Sequence, residues 1–209
     1  MTWLRRIGVL CIAAGAVAIA IPAVMLWSAI QQEQQLTRTW QQVPRPGAHP
    51  GNAGAQSGAG AGHGSSSGSS GGTAASAAQV AFAVRVPKLG YYAAVREGVS
   101  DSVLFAGPGH YPTTAAPGRQ GNVGVAAHNT YWLQFGRLSR GDTVVLEARD
   151  GSYSYRVIET KVVKPGDRTV LASTPDHRLT LTTCWPLWAG ALAPDRLAIV
   201  AEEVGPASS

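Results

Sequence analysis

Hydrophobic and polar positions divide the chain into three textures. Residues 7–30 are a run of 24 without a charge. As a helix rising about 1.5 Å per residue it would reach roughly 36 Å, against a membrane hydrocarbon core of about 30 Å. Residues 44–79 hold ten glycines and no aliphatic or aromatic side chain beyond Ala and Pro. Such a stretch buries no core and reads as a flexible tether with a root-mean-square span of about 30–36 Å. From Val80 onward, short stretches of alternating apolar and polar residues are separated by turn residues, which is the period of strands. The clearest hairpin sets 143–148 against 152–157 across Arg149-Asp150-Gly151, since glycine tolerates the positive φ of a tight primed turn. Further strands are expected at 81–86, 122–127, 161–163, 178–183 and 196–203, with short helical turns at 100–105 and 131–138. Many short strands with little helix argue for one closed barrel or sandwich, and no internal repeat is present.

The domain organisation that follows is a terminus at 1–6, a span at 7–30, a polar, helix-compatible segment and tether at 31–79, a folded domain at 80–204 and a tail at 205–209. Arg5 and Arg6 precede the span, whereas Glu33 and only the more distant Arg38 follow it. That asymmetry predicts a single-pass anchor with the amino terminus inside and the folded domain on the extracellular side of the cell membrane. A cleaved signal peptide is the rival, but the run exceeds the roughly 7–15 residues of a signal core and flows into Leu26-Trp27 instead of a small-residue site. Charge narrows the partners further. Residues 80–209 carry 13 Lys/Arg against 11 Asp/Glu with no dense basic stripe, which excludes a nucleic-acid binder. His49 and His63 fall in the tether and read as solvated.

The chain has two cysteines, and Cys11 lies inside the expected span, so Cys184 is alone in the folded domain. An odd cysteine outside the cell is a partner for another chain, a buried inert thiol or a nucleophile. Strand alternation puts Leu179 and Leu181 on the core face and Cys184 on the other, at a strand end. A thiol there needs a base, because a free cysteine with pKa near 8.5 is only a few per cent thiolate at neutral pH. His128 ends another strand in the matching phase, while His110 and His177 follow turns and read as structural or solvated. Arg196 opens the last strand and could hold a developing oxyanion with a fixed guanidinium.

Thr180-Leu181-Thr182-Thr183-Cys184 matches the TLxTC signature of the sortases, cysteine transpeptidases that attach surface proteins to bacterial cell walls. Gly121-Asn122 leading to His128, the stretch from Phe135 to Gly141-Asp142, the Tyr153-Tyr155 strand and an arginine opening the strand after the cysteine also resemble that family, in its order His, Cys, Arg. Ala127-His128-Asn129 departs from the commoner Gly-His-Arg or Gly-His-Ser. Trp185-Pro186-Leu187-Trp188 resembles class D and class E members, and no pilin-type lid motif precedes His110. The resemblance implies an all-β fold, an eight-stranded closed barrel with short helices. It implies cleavage of an LPXTG-like or LAXTG-like sorting signal between Thr and Gly, and transfer to a peptidoglycan precursor or other cell-wall amine. Cys184, His128 and Arg196 would be catalytic. Thr183 matches a groove threonine although its parity points it away from Cys184, and Tyr131, Trp132, Trp185 and Trp188 flank the strand ends as candidate groove walls. No cofactor is implied; Glu147, Glu159 and Asp167 could sit near a loop calcium site, which the sequence does not decide, and read by default as scattered surface acids. The competing classes are a silent membrane-tethered binding module on the same barrel and a cysteine peptidase that only hydrolyses.

Overall fold

The computed structural model describes residues 2–42 and 80–206, with most side chains of residues 2–22 outside the description. The tether at 43–79, with His49 and His63, and the last residues 207–209 lie outside the described residues. Helix α1 runs continuously from Thr2–Gln42, so the polar stretch 31–42 is helix and not part of the tether. Among the described residues no helix is long and apolar enough to cross a membrane; the side chains of the expected span at 7–30 fall largely outside them.

The folded domain is built from β1 (Val80–Val86), β2 (Tyr91–Glu97), a short helix α2 (Asp101–Phe105), β3 (Gly109–His110), β4 (Gly121–Ala126), β5 (Thr143–Glu147), β6 (Ser152–Val163), β7 (His177–Trp185) and β8 (Asp195–Pro206). The strands close into a barrel in the order β1-β2-β3-β4-β7-β8-β6-β5. Closure removes every sheet edge and buries one side chain in two along each strand. β2 is parallel to β3 and β4 to β7, and the remaining neighbours are antiparallel. The barrel is filled by Phe82, Val84, Val95, Val123, Val125, Leu146, Tyr155, Leu179, Leu181 and Ile199, all buried. Gly90 turns β1 into β2 at φ 60, a region that favours glycine. A Cβ on Gly109 would collide with the carbonyl of Gly98, which is what lets β3 lie close beside the end of β2.

Differences from the pattern-based expectation have local causes. The strands expected at 152–157 and 161–163 are one strand, β6, because a register shift between Val157 and Glu159 reverses the alternation midway. The expected tail begins too early, since Gly205 and Pro206 still belong to β8 and Pro206 pairs with Tyr153. β2 and β3 were not expected. Ala94 of β2 is covered on the outer wall by Leu36 and Trp40 of α1, so β2 is apolar on both faces and shows no alternation. β3 is two residues long.

Candidate active site

Three adjacent strands set the site. Val123 and Val125 of β4, Leu179 and Leu181 of β7, and Leu197 and Ile199 of β8 point into the barrel. The alternate residues therefore line its outer wall. Cys184 is paired directly with Arg196 across β7 and β8. On the other side the parallel register runs Val125↔Leu181 and Ala126↔Thr182, and the Ala127 amide continues it by donating to the Thr182 carbonyl at 3.2 Å. His128 thus leaves β4 at the level of Cys184. The register therefore sets Cys184, Arg196 and, just past the end of β4, His128 at one height on three neighbouring segments. Cys184 is a free, half-buried thiol.

Hydrogen bonds brace this wall from behind and from its flanks. Thr180 donates to Asn122 Oδ1 at 3.0 Å, and the Asn122 amide donates to the carbonyl of Val170 at 2.9 Å. The hydroxyls of Thr182 and Tyr111 lie 3.0 Å apart. The segment after His128 is turned back by the amides of Tyr131 and Trp132, which donate to the His128 carbonyl at 3.0 and 3.3 Å. Asn129 is buried, and its amide donates to the Leu187 carbonyl at 2.8 Å, tying the connection that carries His128 to the one that follows Cys184. Sequence reasoning missed this bridge, although the departure from Gly-His-Arg at Asn129 marked the position. Arg196 is steadied by donation from Nη1 to the carbonyls of Asp195 at 2.9 Å and Ala193 at 3.5 Å. His110 is buried between the Glu97 carboxylate and the Ala115 carbonyl, and His177 lies at the opposite end of β7 beside Glu203; both are structural, as expected.

The candidate groove residues separate. Trp132 is 0% exposed and stacks on Phe135 with ring centroids 4.4 Å apart, so it plugs the barrel end and offers no surface to a peptide. Thr183 is 3% exposed and faces inward opposite Leu197, which its parity required, and it too is withdrawn from the outer face. Tyr131 is half-buried and donates to the Phe105 carbonyl at 2.6 Å; burial and then the Glu33 charge push its phenol up to about 12. Trp185 is half-buried and lines a cavity of about 240 Å³ with Phe135, Leu138, Val162 and Leu197. Trp188 is 83% exposed. Of the acids considered for calcium, Glu147 bonds Arg85 and Tyr92, Glu159 pairs with Lys161, and Asp167 caps Thr169. Among the described residues no cluster of three or more His, Cys, Asp or Glu could hold a metal ion.

The sortase domain profile matches residues 84–204, from within β1 to near the end of β8. The chain belongs to the sortase family. It is 28% identical over 128 residues to sortase D of Bacillus subtilis (strain 168), covering 60% of this chain and 65% of that one. It is 29% identical over 110 residues to sortase A of Listeria monocytogenes serovar 1/2a (strain ATCC BAA-679 / EGD-e), covering 50% and 49%. The chain thus spans between about half and two thirds of the length of these curated relatives. Among solved structures it superposes on the Clostridium perfringens sortase D5 transpeptidase with TM-score 0.56 at 26% identity, covering 60% of this chain and 79% of that one. It also superposes on sortase C-1 from Actinomyces oris with TM-score 0.57 at 24% identity, covering 61% and 75%, a likeness of fold. The closed eight-stranded sortase barrel read from the resemblance is the observed architecture.

Proposed function

We propose that this sortase is a membrane-anchored cysteine transpeptidase. In this reading it cleaves an LPXTG-like or LAXTG-like sorting signal between Thr and Gly and joins the protein to a cell-wall amine. The observation that carries the reading is the register that sets Cys184 opposite Arg196 with His128 at the same level on the neighbouring strand. Cys184 Sγ attacks the threonyl carbonyl carbon. His128 gives its proton to the glycine nitrogen as the Thr–Gly bond breaks, leaving a thioester on Cys184. An incoming amine then attacks that thioester, His128 takes the amine's proton, and the thiolate leaves. Arg196, held by the two loop carbonyls, faces the oxygen on which negative charge develops in both steps. The uncharged run at 7–30 behind Arg5 and Arg6 supports an anchor with the catalytic domain outside. The partners are sorting-signal-bearing surface proteins and a peptidoglycan precursor or other amine.

The test uses the full chain in detergent, quenched peptides of both motif types, and an oligoglycine or diaminopimelate-bearing amine. Amine-dependent transfer that disappears in Cys184→Ala is expected. Hydrolysis without transfer at any amine concentration would reduce the activity to that of a peptidase, and no turnover beside normal folding would leave a silent barrel. Proton transfer by His128 predicts a bell-shaped pH dependence of kcat/KM; a profile flat from about pH 6 to 9 would count against it.

A further inference from the structure

The direction of α1 along the barrel decides which end of the barrel meets the surface from which that helix comes. At the first residue of β2, Tyr91 donates to Glu33 at 2.9 Å. Three residues on, the Ala94 amide donates to Thr37 Oγ1 at 3.1 Å. Beyond that, Arg149 in the turn between β5 and β6 sits 3.6 Å from the centre of the Trp40 ring. The helix therefore runs in the direction of β2, entering where β2 begins and ending toward the β5–β6 turn. β4 runs the opposite way, since β2 is parallel to β3 and β3 antiparallel to β4. β7 is parallel to β4, so both strands end where β2 begins. His128 and Cys184 lie at the end of the barrel through which α1 enters.

The same end carries most of the barrel's exposed large apolar side chains. Leu133 is 58% exposed on the connection after β4, Val162 is exposed near the end of β6, and Trp188 and Leu192 are 83% and 89% exposed between β7 and β8. From Cys184 to Pro194 the chain has no charged residue. Beside these tips, Arg137 and Arg140 are exposed and hydrogen-bond to neutral acceptors, Gln134 Oε1 and the Ile158 carbonyl, so both keep their positive charge for a partner. Apolar tips among guanidinium groups make up a surface that seats in the headgroup layer of an anionic bilayer. At such exposure Trp188 and Leu192 stand clear of the barrel instead of folding over the thiol as the walls of a narrow groove would.

We propose that the Cys184 end of the barrel lies against the membrane, with Leu133, Trp188 and Leu192 seated among the headgroups of anionic phospholipids. The proposal rests on the anchoring proposed above. Residues 33–40 dock on the barrel, so the cysteine is held near the bilayer, where membrane-linked reactants arrive.

The test is made on the full chain carrying Cys11→Ser and Cys184→Ala, reconstituted in vesicles containing phosphatidylglycerol. A nitroxide is attached at Trp188→Cys, at Leu192→Cys or, as the reference at the far end of β8, at Val204→Cys. Labels at 188 and 192 are expected to collide several-fold more with lipid-soluble oxygen and several-fold less with a water-soluble nickel chelate than the label at 204. The difference should shrink when Arg137 and Arg140 are both changed to Gln. Equal nickel access at all three sites overturns the proposal, and shielding that develops only when a sorting peptide is added overturns it in favour of a peptide wall. Vesicle flotation of the same samples separates the two levels. A chain that does not float removes the anchoring and this orientation together, while one that floats with nickel-open labels overturns the orientation alone.

Discussion

The outer wall of this barrel is covered in two different ways. Over β1 and β2 it is apolar: Ala83 and Ala94 lie under Leu36 and Trp40, with Val80 and Ala106 alongside. Small strand residues let a helix approach, and the contact joins apolar area, at about 25 cal/mol per Å² removed from water, to two hydrogen bonds, Tyr91 to Glu33 and Ala94 to Thr37. Over β4 and β7 the wall is polar, with Asn122, Thr180, Thr182 and Tyr111 joined by hydrogen bonds. Area holds a helix in place without fixing an atom; hydrogen bonds fix atoms and leave polar side chains at their margin usable. Cys184, His128 and Arg196, the set proposed to react, stand at the margin of the polar wall and have no counterpart on the apolar one.

The largest effect separating the two walls is expected from Cys184→Ala, which should lower peptide cleavage by at least about 10³-fold while leaving the thermal midpoint nearly unchanged. On the other wall, Trp40→Ala should weaken helix docking by about 3 kcal/mol, exposing residues 28–42 to limited proteolysis while cleavage in detergent changes little. If activity falls in step with docking, the walls are coupled, and the contacts from Glu33 through Tyr91 and Phe135 to Trp132 are the place to look. Asn122→Ala strands the Thr180 hydroxyl and the Val170 carbonyl, at about 1–3 kcal/mol. Calorimetry and kinetics should show stability and kcat/KM falling together, unlike either change above.

A smaller loss, about 1 kcal/mol, is expected from Asn129→Ala, which unties the connection after His128 from the one after Cys184. It should appear in peptide kinetics more than in the thermal midpoint. The smallest effect concerns pH. Burial raises the Glu33 carboxyl above its ordinary 4.5, only partly offset by the Tyr91 hydroxyl. A carboxyl raised in the docked state supports docking fully below its ordinary value and loses that support as pH rises through the raised one. Docking should therefore loosen modestly from acid toward neutral pH, and in Glu33→Gln proteolytic protection of the helix should be the same across that range.

What was legible in the sequence followed from alternation. The phase of Leu179, Leu181 and Cys184, and of Val123, Val125 and His128, placed the thiol and the imidazole on the outer wall before any contact was known, because a strand has only two faces. The same logic withdrew Thr183 from that wall. It failed where a strand is covered on both sides, as at Ala94, where a bulge inverts the phase, as between Val157 and Glu159, and in the connections, which have no period. Trp132 and Trp188 are alike as letters beside strand ends. One plugs the barrel and the other is open to solvent, a difference made by how the connections fold. The docking of α1 left only a faint trace, Leu36 and Trp40 four residues apart in an otherwise polar stretch.

The parallel pairing of β4 with β7 has a consequence for the timing of reactivity. Two parallel neighbours cannot be joined by a tight turn, and all of β5 and β6 lies between these two in the chain. His128 and Cys184 therefore come level only when β4 pairs with β7 across the intervening strands, a long-range event that comes late in assembly. Until then Cys184 lacks the neighbour that the proposed reaction requires. In the proposed reaction, the completed barrel is what sets the base beside the thiol.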